Sequence, residues 1–228
     1  MAAVPFDLAR QFVSKWGSVI YTVTLNPSID RTLMVPRFTV GGTFKASVVD
    51  LLPAGKGVNV ARVVATLGEP VAAAGLVGEH EMAVFSAMLS ELGIENDLVA
   101  VPGATRNCVT ILDPNQGTQT HVREQGIDVP VDALLQTQSA LSQVNRGDWV
   151  VLAGSLPPGL PADTYGMLCR VCRARGAAVL LDANGPPLLA GVQGAPTLLK
   201  PNLFELWQLE QGRADVTAEQ DLIEVPVT

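Results

Sequence analysis

From residue 71 to residue 200 the chain alternates between two hydrophobic periods, and this alternation restricts its fold more than any other feature. Residues 71–77, 148–153 and 177–181 are short, largely aliphatic runs of the kind that form buried strands, and 197–200 is a shorter one. Runs with helical spacing lie between them: 81–92, closed by Gly93, then 131–144 and 163–175. Residues 98–101, 106–112 and 118–123 read as further strands, the last of them by polar–apolar alternation. An earlier run, 19–25, is β-branched and apolar and predicts the first buried strand, stopped by Pro27. Strands alternating with helices predict an α/β fold, a mostly parallel sheet with helices on both faces.

Composition sets outer bounds. A chain of 228 residues that is 48% hydrophobic and 16% charged is long enough for one sizeable core, and most of it is too apolar to stay disordered. A net charge of −7 argues against nucleic acid or an anionic membrane surface as the main partner. No apolar run approaches the length of a membrane span. Three cysteines, Cys108, Cys169 and Cys172, are too few for a disulfide framework and fit a reducing, cytoplasmic setting. Cys169 and Cys172 share one helix face three residues apart, which suits two small apolar residues on a buried stripe better than a metal or redox pair.

The chemistry-bearing residues cluster at strand ends and at one glycine turn. The stretch Ala54-Gly55-Lys56-Gly57-Val58-Asn59 turns directly into helical spacing that Gly68 ends. A glycine turn feeding a helix leaves N–H groups aimed at whatever sits there, and Lys56 and Asn59 add a charge and an amide. That combination suits a polyhydroxylated anion, although a ligand-free tight turn fits it equally well. Asp30 follows the first strand, Ser155 follows 148–153, Asp182 follows 177–181, and Lys200, Asn202 and Glu205 follow the last strand. Parallel strands point the same way, so these ends gather on the rim where α/β sheets bind ligands.

Plainer readings stand beside these. Asp30 also suits an Asx turn, Arg106 a solvated edge arginine or a bidentate phosphate grip, and Asn202-x-x-Glu205 a helix capping box. Residues 31–52 read as two short strands, 32–35 and 44–49, around Gly41-Gly42, an excursion from the α/β pattern. Ser155 lacks the Gly-x-Ser-x-Gly setting of a hydrolase nucleophile, and neither a Walker A nor a Gly-x-Gly-x-x-Gly sequence occurs.

Five segments occur in order: Thr24-Leu25-Asn26-Pro27-Ser28-Ile29-Asp30, Ala54-Gly55-Lys56-Gly57-x-Asn59-Val60-Ala61-Arg62, Thr105-Arg106-x-x-Val109, Gly154-Ser155-Leu156-Pro157-Pro158-Gly159 and Lys200-Pro201-Asn202-x-x-Glu205. As a set they closely resemble the PfkB (ribokinase-like) carbohydrate kinases, in the 1-phosphofructokinase and tagatose-6-phosphate kinase branch. The resemblance implies a ribokinase-like, doubly wound, mostly parallel sheet with a small β lid, for which 31–52 is the candidate. It implies transfer of the ATP γ-phosphate, with Mg²⁺, to a hydroxyl of a ketohexose phosphate. Asp30, Gly55, Lys56 and Asn59 would then meet the sugar, and Arg106 and Ser155 its existing phosphate. Lys200, Asn202 and Glu205 would face the nucleotide phosphates, with Glu205 reaching the metal through water. A homodimer clasped through the lid is the implied assembly, with neither nucleic acid nor membrane as partner.

Two departures from the family pattern stand out. Ala54 occupies the first position of its usual Gly-Gly-Lys-Gly. The Gly-Ala-Gly-Asp segment that carries the family's general base has no match in the 228 residues. The expectation is therefore an incomplete kinase domain over 19–212, between an N-terminal extension (1–18) and a tail (213–228), with the C-terminal part of the fold missing and little or no activity of its own. The alternative is a non-catalytic sugar-phosphate binding module.

Overall fold

The structure, a computed structural model, describes residues 18–212. The extension and tail expected from the sequence thus lie outside the described residues, apart from residue 18.

Six parallel strands form the main sheet: β1 (Ile20–Thr24), β4 (Val71–Gly78), β5 (Glu95–Val101), β8 (Trp149–Ala153), β9 (Ala178–Asp182) and β10 (Leu198–Leu199). Their spatial order is β10-β9-β8-β1-β4-β5. The order reverses at β1, with β4 paired on one side and β8 on the other. Among the described residues five α-helices connect strands, α1 (Lys56–Thr66), α2 (Met82–Glu91), α3 (Val131–Ala140), α4 (Thr164–Ala174) and α5 (Gly185–Val192), and α6 (Leu203–Gln211) follows β10.

Strand alternation divides the core between the two sheet faces. Tyr21, Val23, Ala74, Leu152 and Leu181 meet Leu134, Leu168 and Leu188 of α3, α4 and α5 on one face. Val71 and Ala73 meet Ala61 of α1 and Leu89 of α2 on the other. Each fully buried Val or Leu contributes roughly 1.5–3 kcal/mol, so these layers hold the strand ends in fixed register beneath the site.

A second sheet departs from the expected hairpin. It has four strands in the order β3-β2-β6-β7, built from β2 (Ser28–Met34), β3 (Ser47–Ala54), β6 (Asn107–Asp113) and β7 (Thr118–Arg123). The β2 strand begins directly after Pro27, because Ser28–Asp30 pair with Ala54, Pro53 and Leu52 of β3. Residues 35–46 form a long connection instead of the tight Gly41-Gly42 turn. Backbone N–H groups of Arg37 and Phe38 bond to the Asp113 carboxylate, and the Phe38 and Phe44 rings meet at 5.5 Å. The lid therefore draws on two separated stretches, with β2 and β6 parallel at its centre.

One helix lay outside the sequence reading altogether. Pro186 and Pro187 suggest a break, but they occupy the first turn of α5, where no intrahelical N–H is required.

Candidate functional site

The strand ends and the lid enclose one cleft of about 750 Å³. It lies at the carboxyl edge of the main sheet, beside β1, where the strand order reverses. Asn26 follows β1 in sequence, Gly154 and Ser155 follow β8, Asn184 follows β9, and Asn202 follows β10; all five line the cleft.

The glycine turn supplies the cleft's floor. Gly55 precedes α1 with φ +138°, a conformation that side chains rarely adopt. A Cβ on Gly57 would stand 2.9 Å from the Val23 carbonyl oxygen, so α1 can start this close to β1 only with glycine there. The Thr24 hydroxyl accepts from the Val58 N–H at 2.9 Å, satisfying one of the four free donors of the helix start. Gly55, Lys56 and Asn59 all border the cleft as a result.

Asp30 reaches the cleft from a strand and not from the expected turn. It sits in β2, in register with Leu52 and Cys108, and accepts from the Ser28 hydroxyl at 2.6 Å. Register puts Cys108 beside Arg123 and Thr110 beside His121, so one face of the lid presents Asp30, Cys108, Thr110, His121 and Arg123 to the cleft. The His121 ring Nδ1 is 3.0 Å from the Thr110 hydroxyl.

Arg106 is more deeply committed than an edge arginine. Its Nε donates to the Pro27 carbonyl at 3.2 Å, Nη1 to Glu124 at 3.1 Å and Nη2 to Asn26 at 3.0 Å. The guanidinium thus ties the lid's base to the end of β1 while still bordering the cleft. Asn26 continues this framework, its amide donating to the Gln125 carbonyl at 2.9 Å and to Ser155 Oγ at 3.1 Å.

Two lysines share one carboxylate. Asp182, at the end of β9 and only 8% exposed in its side chain, takes Lys56 Nζ on Oδ1 at 2.7 Å and Lys200 Nζ on Oδ2 at 2.9 Å. Lys200 stands outside the cleft's lining and joins the site through this bridge. The hydroxyl of Tyr165 is buried without a hydrogen-bond partner among the described residues. Burial, and then the charge of Asp182, push its pKa well above the ordinary tyrosine range, so it stays protonated.

Asn202 and Glu205 form the capping box expected of them. Glu205 N donates to Asn202 Oδ1, and Asn202 N to Glu205 Oε2, each at 2.8 Å. Both residues still border the cleft, since the box closes the start of α6 on its rim. Among the described residues there is no cluster of three or more metal-ligating side chains. Asp30 and Glu205 are the carboxylates that line the cleft.

Of the ten residues singled out from the sequence, eight therefore border one cavity, and the other two, Lys200 and Asp182, are paired with each other, Asp182 in turn holding Lys56 on the lining. His121 and Arg123 were not among them. Alternation in β7 does place His121 and Arg123 on a single face, but only the pairing with β6 decides which face meets the cleft.

Residues 16–224 match the family model described as pfkB family carbohydrate kinase. The chain is 38% identical over 190 residues to the 1-phosphofructokinase of Rhodobacter capsulatus, covering 82% of this chain and 60% of that protein. It is 36% identical over 191 residues to the 1-phosphofructokinase of Bacillus subtilis, covering 84% and 62%. It thus spans about 60% of the length of the curated relatives it matches. Among solved structures, phosphofructokinase-2 from Escherichia coli in complex with fructose-6-phosphate aligns with a TM-score of 0.80 and 26% identity, over 91% of this chain and 68% of that one. A possible 1-phosphofructokinase from Thermotoga maritima aligns with a TM-score of 0.72 and 28% identity, over 90% and 67%.

Proposed function

This chain belongs to the pfkB family of carbohydrate kinases, and we propose that it carries the acceptor-sugar side of an ATP-dependent ketohexose-phosphate kinase, with fructose 1-phosphate as acceptor and fructose 1,6-bisphosphate as product. The observation that carries this reading is the convergence of Asp30, Gly55, Asn59, Arg106 and Ser155 on one polar cleft. The named relatives support the choice of acceptor, since those from Rhodobacter and Bacillus are 1-phosphofructokinases.

Each residue then has a task that its surroundings allow. The Asp30 carboxylate accepts hydrogen bonds from sugar hydroxyls, and Asn59 both donates and accepts. Ser155 and the unspent N–H groups of Arg106 meet the existing phosphate. Lys56 and Lys200, each more than a third exposed despite their bond to Asp182, are free to reorient toward phosphates of a bound nucleotide. Bound Mg²⁺ would neutralise charge on those phosphates, with Glu205 of the α6 capping box orienting its water shell.

The test begins with binding. Calorimetry on the 228-residue chain with fructose 1-phosphate and no nucleotide is expected to show saturable binding, weakened at least about tenfold, or about 1.4 kcal/mol, by Asp30→Ala. Arg106→Ala should weaken it too, but that change also releases three carbonyls, so Asp30→Ala is the cleaner variant. Unchanged affinity in both variants rejects the reading. Phosphoryl transfer needs a positioned base and charge stabilisation, and no Gly-Ala-Gly-Asp sequence supplies them in these 228 residues. Coupled ADP release by this polypeptide is accordingly expected to stay near background. A sugar-phosphate binding module without turnover is the second reading, and it predicts the same binding result.

Assembly follows from the lid. The face turned away from the cleft carries Leu51, Val48 and Val122, each more than half exposed. A second copy of the lid covering this face would make the homodimer that we propose.

A further inference from the structure

Three side chains with permanent positive charge border the cleft, Lys56, Arg106 and Arg123, and two of them are already engaged. Lys56 is paired with Asp182 at 2.7 Å. Arg106 spends three of the five N–H groups of a guanidinium on the carbonyls of residues 26, 27 and 124. The Arg123 side chain makes no hydrogen bond and no ion pair among the described residues. Strand register sets it beside Cys108 and, one strand further, Asp30, on the lid face that looks into the cleft.

Arg123 also stands where two cavities meet. Arg106, Arg123, Ser155 and Asn26 border both the main cleft and an adjoining hollow of about 500 Å³. Ser155 Oγ accepts from the Asn26 amide, which leaves its own proton available to a ligand. A phosphate monoester carries about −1.5 to −2 near pH 7. Arg106 alone compensates roughly half of that, and Asp30 on the same lid adds repulsion. A second, uncommitted guanidinium in reach closes the charge balance, and its planar fork matches phosphate oxygens.

Building on the function proposed above, we infer that Arg123 is the principal phosphate-recognition residue of the cleft and sets its preference for phosphorylated over free sugars, acting beside the two unspent N–H groups of Arg106. In low-salt buffer the chain binds fructose 1-phosphate and, more weakly, inorganic phosphate. Arg123→Gln raises the dissociation constant for both by about tenfold or more, because a charged bidentate contact is lost. Arg123→Lys recovers only part of the affinity, because a point charge replaces a fork. Affinity for unphosphorylated fructose stays the same in all three proteins, and so does the melting temperature, since no side-chain contact is removed.

The outcomes separate the two levels of the argument. Fructose 1-phosphate binding that is indifferent to Arg123→Gln overturns the inference and leaves the proposed function standing. Arg123-dependent binding of inorganic phosphate, without binding of fructose 1-phosphate, supports the inference and overturns the proposed function. Failure of the chain to bind either anion overturns both.

Discussion

Cys108, Cys169 and Cys172 show how far residue type alone determines behaviour. The reading of the 169/172 pair as packing residues agrees with their burial in α4, where Cys169 donates to the Gly194 carbonyl at 3.1 Å. Burial raises the Cys169 thiol against the pull of Arg173 and Arg170. Burial and the neighbouring Cys169 push the Cys172 thiol up to about 12. Neither forms much thiolate at pH 8, and the thiolate is the reactive species. Cys108 is only partly buried and borders the cleft. Ellman's reagent should therefore titrate one thiol in the native chain and two more only in denaturant, with fructose 1-phosphate slowing the first. Three equally fast thiols would contradict this account. Asp30 gives the complementary lesson. Its presence at the site was legible from its position after a buried strand, but its setting was not. Pro27 signals a stop, and only pairing with residues 52–54 and 107–108, distant in sequence, restarts the chain as a strand.

At the scale of elements, the main sheet was legible because each strand or helix carries its own period, and α2, α3 and α4 lie within the expected spans. The lid was legible only in pieces. Its strands 106–112 and 118–123 were recognisable, but their membership in the second sheet depends on long-range register that no local pattern encodes. Asp113 helps to fix that architecture. Burial alone would raise its carboxyl, but backbone N–H groups of Arg37, Asn115, Phe38 and Gln116 outweigh it and hold it below the ordinary value of 3.8. A carboxyl lowered by folding stabilises the fold in full above its unfolded value, and that contribution is lost as pH falls through the folded value. Amide exchange at Phe38 and Gln116 should thus stay protected from neutral pH down to about 4 and rise in stronger acid. In Asp113→Asn the amide N–H bonds lose their charged acceptor, so the same protons should exchange faster already at pH 7. Equal protection at pH 7 in both proteins would remove Asp113 from this role.

For the whole molecule, the lid poses a physical problem that one chain does not solve among its described residues. A sheet with one polar and one apolar face needs something against the apolar face. The cleft side carries Asp30, Thr110, His121 and Arg123, and register therefore turns Leu33 and Val122 the other way, with Val48 and Leu51 from β3 and the charged Arg31 beside Leu51. Ile29 at the lid's base packs against Phe85 and Val58 of the main body, whereas Leu51 remains 58% exposed. Large apolar side chains exposed together on one sheet face favour an interaction site over open solvent, and a two-fold pair of lids would bury each Leu51 for roughly 1.5–3 kcal/mol. Stable interfaces usually bury more than about 1,000 Å² in total, so the contact must extend across the sheet and not rest on one residue. Sedimentation at tens of micromolar (a concentration on the order of most solution work) should therefore find a dimer, and Leu51→Glu should convert it to a monomer with an unchanged circular dichroism spectrum. Leu51 does not border the cleft, so a sugar-phosphate site completed within one chain keeps its affinity in that monomer. A parallel loss of fructose 1-phosphate binding would instead mean that the facing lid contributes to the site. A native chain already monomeric at these concentrations would mean that the apolar face is covered by something other than a second copy.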